Sequence, residues 1–533
     1  MRRVPLFLII VALAATLRAD APGVYAISGG TVHPVAGAEI AGGIVVIRNG
    51  LIEAVGANIA IPSDATVVDV KGMHVYPGLF DAQTSLGFPA LRTTTGRRGT
   101  PRPAQRDETA PPEPTAATMA LHSIVLADDD VEAKRSSGVT TILVAPSAGI
   151  FNGQSAILDL GQGGMDARVI RSPAALQISF NTRPSLTFPD SLMGVMAFIR
   201  QSFIDAQQAD AAAAIYHRNP AGYPRPQTSA AADALVPALH RELPVVFIAD
   251  SETMMRRALS LAHELNLRPI ISGGRQSYRM ADSLKSAATP VLLSVNFPAA
   301  PPRRDDREEQ PLRIIRERQL APTSAATLAR MQIPFALVSG NAKTPADFLK
   351  GIRKTIANGL SADDALRAVT LTPARFFGVD RQLGSLEPGK IANVVISDKP
   401  IFDERAEVKH VYVDGRPYRV TAPVAKEGAA AGDGSVVDGS WQLTVRASSG
   451  DVALHLDLTA EDGRVSGTYS GDRGSGDIEN GTLTGNVVEL TIVMRLQAET
   501  TDWLFHGTVT GSSMQGTVST TSGTFQFSGS KSR

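Results

Sequence analysis

The side chains able to do chemistry in this chain are nine histidines, fifty-two carboxylates, and scattered hydroxyls and amides. There is no cysteine, which excludes disulfides, thiolate-bound zinc, iron–sulfur clusters, a thiol nucleophile and a lipidated cysteine anchor. Histidine is therefore the main source of nitrogen ligands. Two imidazoles at i and i+2 on a strand end, or at i and i+4 on a helix, would project together and grip a zinc ion. The nine are His33, His74, His122, His217, His240, His263, His410, His455 and His506, and no two stand at either spacing. The run Asp128-Asp129-Asp130 offers oxygen ligands of the kind calcium or magnesium takes. It stands directly before Val131-Glu132-Ala133-Lys134, so it reads as the acidic first turn of a helix, favoured by the helix dipole.

Charge and composition narrow the classes. Lys+Arg and Asp+Glu are both 52, so the formal net charge is zero and no basic nucleic-acid-binding face is expected. Hydrophobic residues at 43% and charged residues at 20% are ordinary for a globular chain. A length of 533 residues suggests three or four domains, at roughly 150 residues each. Arg2 and Arg3 precede an uncharged apolar run, residues 4–17, which is short for a membrane span. With Leu17-Arg18-Ala19 before Asp20, residues 1–19 read as a secretory signal peptide; the alternative is an uncleaved N-terminal anchor. No later run resembles a span, so the mature chain is expected to be exported, periplasmic or extracellular.

The elements that would position a site follow from the apolar pattern. Strand candidates fall at residues 75–81, 139–145, 175–180, 245–250, 269–272, 291–296 and 334–339. Most are Val-, Ile- and Leu-rich without alternation, as buried parallel strands are. Helical stretches at 191–218, 230–241, 252–266 and 312–331 lie between them. This alternation predicts an α/β fold, a (β/α)8 TIM-like barrel over residues 75–385, with one strand left unplaced. Two segments interrupt it, a Pro-, Thr- and Arg-rich stretch at 92–118 and a mixed-charge run at 298–311; both read as surface insertions. Short strands on either side, at 43–48, 51–55 and 66–70 and again at 391–397 and 408–413, predict a composite β-sandwich from residues 20–74 and 386–420. Residues 421–435 read as a linker rich in Ala and Gly. Beyond it, residues 436–533 alternate with period two, as at Val452, Leu454, Leu456 and Leu458, and repeat a Gly-Thr pair. That predicts an antiparallel barrel or sandwich of about eight strands, with the glycines serving strand packing.

Two long stretches carry a family resemblance. One is Lys71-Gly72-Met73-His74-Val75-Tyr76-Pro77-Gly78-Leu79-Phe80-Asp81-Ala82. The other runs from Ala365-Leu366-Arg367-Ala368-Val369-Thr370-Leu371-Thr372-Pro373-Ala374-Arg375 to Leu383-Gly384-Ser385-Leu386-Glu387-Pro388-Gly389-Lys390-Ile391-Ala392-Asn393. Gly138-Val139-Thr140-Thr141 fits the approach to the second barrel strand. Over residues 24–420 the chain resembles the amidohydrolase superfamily, nearest to its imidazolonepropionase-like and dihydroorotase-like metal-dependent hydrolases. The resemblance implies a barrel with a flanking β-sandwich and hydrolysis of C–N bonds other than peptide bonds. It also implies zinc or another divalent metal, which acidifies bound water and polarises the scissile group. The family's ligands are a first-strand His-x-His, a carboxylated Lys, two further His and a final Asp.

On that resemblance, the ligand positions fall here on Gln83 and Ser85, Gln177, Ile248, Gly273 and Gly340. Amides and hydroxyls are poor zinc ligands, and Ile and Gly offer no side-chain ligand at all. The expectation is therefore no metal and no other cofactor. No catalytic residue is assigned. The polar groups at strand ends form a candidate pocket of Asn152, Gln154, Ser179, Asn181, Arg183, Asp250, Arg275, Asn296, Ser339, Asn341 and Lys343. Three readings follow. The first is a degenerate barrel binding a small polar molecule or a partner. The second is an active hydrolase of amide, cyclic amide or ester bonds through an altered site. The third is a scaffold acting through the C-terminal β domain.

Overall fold

The computed structural model describes residues 23–88, 115–182, 188–227, 229–298, 311–340, 342, 344–420 and 437–532, less a few turn positions in the last range. The expected signal peptide at 1–19, most of both expected insertions, the expected linker, Arg183, Asn341 and Lys343 lie outside the described residues. The chain divides into two compact units, 1–422 and 423–533. Among the described residues no helix is long and apolar enough to cross a membrane.

In the first unit, β1 (Tyr25–Val32), β2 (Ile40–Arg48), β3 (Leu51–Gly56), β4 (Thr66–Asp69) and β5 (His74–Pro77) precede a barrel. The barrel strands are β6 (Leu79–Thr84), β7 (Val139–Val144), β8 (Phe151–Asp159), β9 (Val169–Ser179), β10 (Val245–Ala249), β11 (Pro269–Gly273), β12 (Val291–Ser294) and β13 (Phe335–Val338). After it come β14 (Val394–Ser397), β15 (Val408–Val413) and β16 (Arg416–Arg419). The run expected as one strand at 75–81 is thus two strands in two sheets. Gly78 is the break between them, where a Cβ would overlap the Thr140 side chain. The stretch expected as one helix at 312–331 is also divided: Pro322 sits in a 3-10 turn between the helices Leu312–Leu320 and Ser324–Arg330.

The strands β6 to β13 are neighbours in sequence order. Seven are parallel, and β8, the strand the sequence left unplaced, runs antiparallel to both β7 and β9. Length dictates this. β7 ends at Val144 and β8 begins at Phe151, too few residues for a helical crossover of a dozen or more, so the chain turns back on itself. Along each parallel strand alternate side chains go to opposite sides. Phe80, Leu143, Val246, Ile270, Leu292 and Ala336 form one buried cluster, closed from below by Phe377, Val379 and Leu383. Leu79, Ile142, Phe247, Ile271, Leu293 and Leu337 belong to the larger cluster shared with the surrounding helices.

The flanking sheet has the order β16-β15-β14-β5-β1-β2-β3, with β4 also on β1. β1 pairs β4 along Tyr25–Ser28 and β5 at Thr31 and Val32, with register shifts between, so one strand serves two leaves. Ile27, Val45 and Ile47 from the N-terminal strands pack with Val394, Ile396 and Tyr412 from the C-terminal ones. In the second unit, eight strands from Gly439–Ala447 to Gly523–Lys531 form a closed antiparallel barrel, the last pairing back with the first. Trp441, Leu456, Ile492, Phe505 and Phe527 fill its core. The Gly-Thr glycines sit where strands approach most closely; a Cβ at Gly516 would overlap the His506 carbonyl.

A buried carboxyl ties the barrel to the flanking sheet. Asp159, at the end of β8, accepts from Asn393 Nδ2 at 3.0 Å, and Asn393 Oδ1 accepts from the Asp414 amide at 2.9 Å. Burial pushes the Asp159 carboxyl up to about 7. The folded chain therefore keeps a proton that the unfolded chain releases above 3.8, and stability should fall as pH rises from there through about 7. Asp159→Asn should flatten that fall, read as urea midpoints between pH 5 and pH 8; parallel profiles for the two proteins would refute it.

Candidate active site

The C-terminal ends of the barrel strands surround a cavity of about 310 Å³. Gln83 and Ser85 reach it from β6, Asn181 from beyond β9, Ile248 and Asp250 from β10, and Gly273 and Arg275 from β11. Asn296 and Gly340 follow β12 and β13. Thr84, Ser147, Ser272 and Ser294, none of them in the expected pocket, add further hydroxyls to its lining. A second cavity of about 460 Å³ shares Thr84, Ser85 and Gly340 with the first and extends to Lys134 and Thr344.

Residues far apart in sequence meet here. Gln83 Nε2 donates to Gln177 Oε1 at 3.4 Å, across the barrel wall from β6 to β9. Gln177 Nε2 donates to Ser155 Oγ at 3.3 Å, and Ser155 Oγ to the Ala175 carbonyl at 3.1 Å. Ser155 lies on the antiparallel strand, so the sequence reading had no reason to choose it. Arg275 Nη2 donates to Asp250 Oδ2 at 3.0 Å, while Glu317 Oε1 lies 4.0 Å from Arg275 Nε. Gly273 and Gly340 have φ of +97° and +58°.

Other candidates point elsewhere. Ser179 Oγ donates to the Gly149 carbonyl at 2.6 Å, inside the β7–β8 turn. Asn152 is buried, neither of its side-chain amide atoms has a partner among the described residues, and it does not line the cavity. Gln154 meets the end of the first insertion through its backbone N–H, which donates to the Thr118 carbonyl at 2.7 Å, while its side-chain Nε2 donates to the Ala234 carbonyl at 3.5 Å. Ser339 belongs to a different cluster. Its amide donates to Asp81 Oδ1 at 2.9 Å and its hydroxyl to Asp81 Oδ2 at 2.6 Å, and Lys134 Nζ donates to the same Oδ2 at 2.7 Å. Asp81 is fully buried and Lys134 nearly so.

Two histidines do meet, outside the barrel mouth. His33 on the β1 edge and His74 on β5 face each other at 3.1 Å, Nε2 to Nδ1, with His33 stacked on Tyr76 at 4.4 Å. Burial lowers the His33 pKa. Spacing along the chain could not reveal the pair, because a parallel strand pairing joins them. Among the described residues no group of three or more His, Asp or Glu is placed to hold a metal ion.

Comparison with known proteins agrees with this fold. A sequence model of the amidohydrolase family matches residues 326–418. The solved amidohydrolase from Thermotoga maritima MSB8 superposes with a TM-score of 0.63 at 24% identity, over 74% of this chain and all of that one. An adenine deaminase from Methanococcoides burtonii is 34% identical over 86 residues, 15% of this chain. Another from Desulforamulus reducens is 37% identical over 62 residues, 12% of this chain. The chain spans only 14% and 10% of the length of those two deaminases. The family match is confined to residues 326–418, and the barrel with its flanking sheet has the fold of the solved amidohydrolase.

The Asp81 cluster yields a stability prediction. Lys134→Met strands a buried carboxylate, and removing one partner of a buried pair typically costs about 3–5 kcal/mol. Denaturant unfolding should show a loss of that order; a loss below about 1 kcal/mol, the range of an exposed pair, would mean the pair does not hold the barrel seam.

Proposed function

We propose that this chain is an exported amidohydrolase-superfamily protein whose barrel mouth binds a small polar molecule through hydrogen bonds, without a metal centre. The observation that carries the reading is the Gln83–Gln177 contact. The family resemblance assigns both positions to ligands, and here two neutral amides are bonded to one another. Zinc binds by exchanging its water for imidazole nitrogens, thiolates or carboxylates, and the cavity lining offers one carboxylate, Asp250, already paired with Arg275. The donor set does not fit the metal, and no hydrolytic step is derived through one.

A cavity of about 310 Å³ with amides, hydroxyls and one ion pair suits a small hydrogen-bonding ligand. The second reading, hydrolysis of an amide or cyclic amide through an altered site, draws on the sequence match to two adenine deaminases. Metal content separates the two. Protein incubated with zinc or manganese and then desalted should retain well under one equivalent, since tight binding requires the missing ligands. Stoichiometric retained metal would overturn the metal-free reading and favour the hydrolase.

Export is read from Arg2, Arg3 and the apolar run that follows. The secreted form should begin at Asp20, by N-terminal sequencing. A full-length N-terminus on a cell-associated protein would point instead to an uncleaved anchor.

A further inference from the structure

The polarity of the amide chain at the barrel mouth is fixed from its far end. The Ala175 carbonyl can only accept, so the Ser155 hydroxyl, 3.1 Å away, must donate to it. That uses the hydroxyl's single proton, and Ser155 Oγ then accepts from Gln177 Nε2 at 3.3 Å. Gln177 is thereby turned with its Oε1 towards β6, where it accepts from Gln83 Nε2 at 3.4 Å. The orientation of each amide is set by its neighbour. Gln83 is left with its own Oε1 as the end of the chain, buried and without a hydrogen-bond partner among the described residues.

The ion pair at the mouth points the same way. Asp250 Oδ2 accepts from Arg275 at 3.0 Å, while Asp250 Oδ1 is buried and has no hydrogen-bond partner among the described residues. The unpartnered donor is Arg275 Nε, and it lies 4.0 Å from the Glu317 carboxylate. Buried acceptors left without a donor are costly, so the complementary ligand is one that brings donors.

We infer that the barrel mouth selects a small molecule presenting N–H donors, an amine or amidine group, and rejects a carboxylate of the same shape. The inference rests on the reading that the mouth binds a ligand. Ser155 is a positioning residue, acting on the ligand only through Gln177 and Gln83. An amide that turned to offer its NH2 group would suit a carboxylate instead, and Ser155 is what prevents the turn.

Benzamidine and benzoate, which share a ring and differ in donor and acceptor character, test this by thermal shift and calorimetry on the full chain. Benzamidine should bind at least about tenfold more tightly than benzoate, the scale of one unsatisfied buried group. Gln83→Met should abolish the benzamidine response. Ser155→Ala, distant from the ligand, should narrow the ratio by freeing both amides to turn. Equal or tighter binding of benzoate would overturn the inference while leaving the mouth a binding site. An unchanged ratio in Ser155→Ala would overturn the relay. No response to either probe would overturn both the inference and the binding reading.

Discussion

The barrel depends on one buried carboxylate. β6 and β13 are the two ends of the ordered sheet, and among the described residues no backbone ladder joins them. Asp81 supplies the connection. Its two oxygens take the amide and hydroxyl of Ser339 from the last strand and the ammonium of Lys134 from the helix Asp128–Ser136. A carboxylate accepting three hydrogen bonds is satisfied even with no water beside it, which is what permits Asp81 to be fully buried. The seam also fixes where the first and last strands end. Gln83 and Ser85 lie a few residues beyond Asp81, and Gly340 follows Ser339, so the geometry of the mouth on that side is inherited from this cluster.

The reversed strand shapes the opposite side. In an all-parallel barrel the segment before β9 would enter from a helix. Here the short turn after β7 brings β8 back beside β9, with Ser155 opposite Ala175 and Gly153 opposite Gln177. Gly153 is close enough to the Thr118 carbonyl that a Cβ would overlap it, which lets the end of the first insertion lie across β8. The hairpin thus supplies the hydroxyl that orients Gln177 and the surface on which a returning loop packs. Local chain length and site chemistry are linked through a single strand direction.

Much of this was legible in the sequence, and the omissions share a cause. The flanking strands, the two long signatures and the alternation of the last hundred residues are local patterns, and their elements lie near where periodicity puts them. β8 was not found because Asn152, Gln154 and Ser155 interrupt its apolar run, and because strands separated by helices were the expected rhythm. The Asp81 cluster was missed because its three members are separated by 53 and 258 residues, and each alone reads as ordinary. The His33–His74 contact spans 41 residues for the same reason. Gln83 and Gln177 were singled out from the family resemblance, but their mutual contact depends on the curvature that brings β6 and β9 towards a common mouth.

The backbone at two strand ends limits which side chains can stand at the mouth. Gly273 and Gly340 occupy positions that the resemblance assigns to a histidine and an aspartate, and both lie in the left-handed region, at φ of +97° and +58°. Residues with a Cβ avoid that region, and the added atom would also collide locally: at Gly273 with the Asp250 carboxylate, at Gly340 with the Ser294 hydroxyl. Restoring a ligand at either place would therefore require the strand end to change conformation as well as the side chain. The Asp250–Arg275 pair stands against the same glycine, so the ion pair and the left-handed turn support one another. The two left-handed glycines and the ion pair beside them together fix the shape of the strand ends around the cavity.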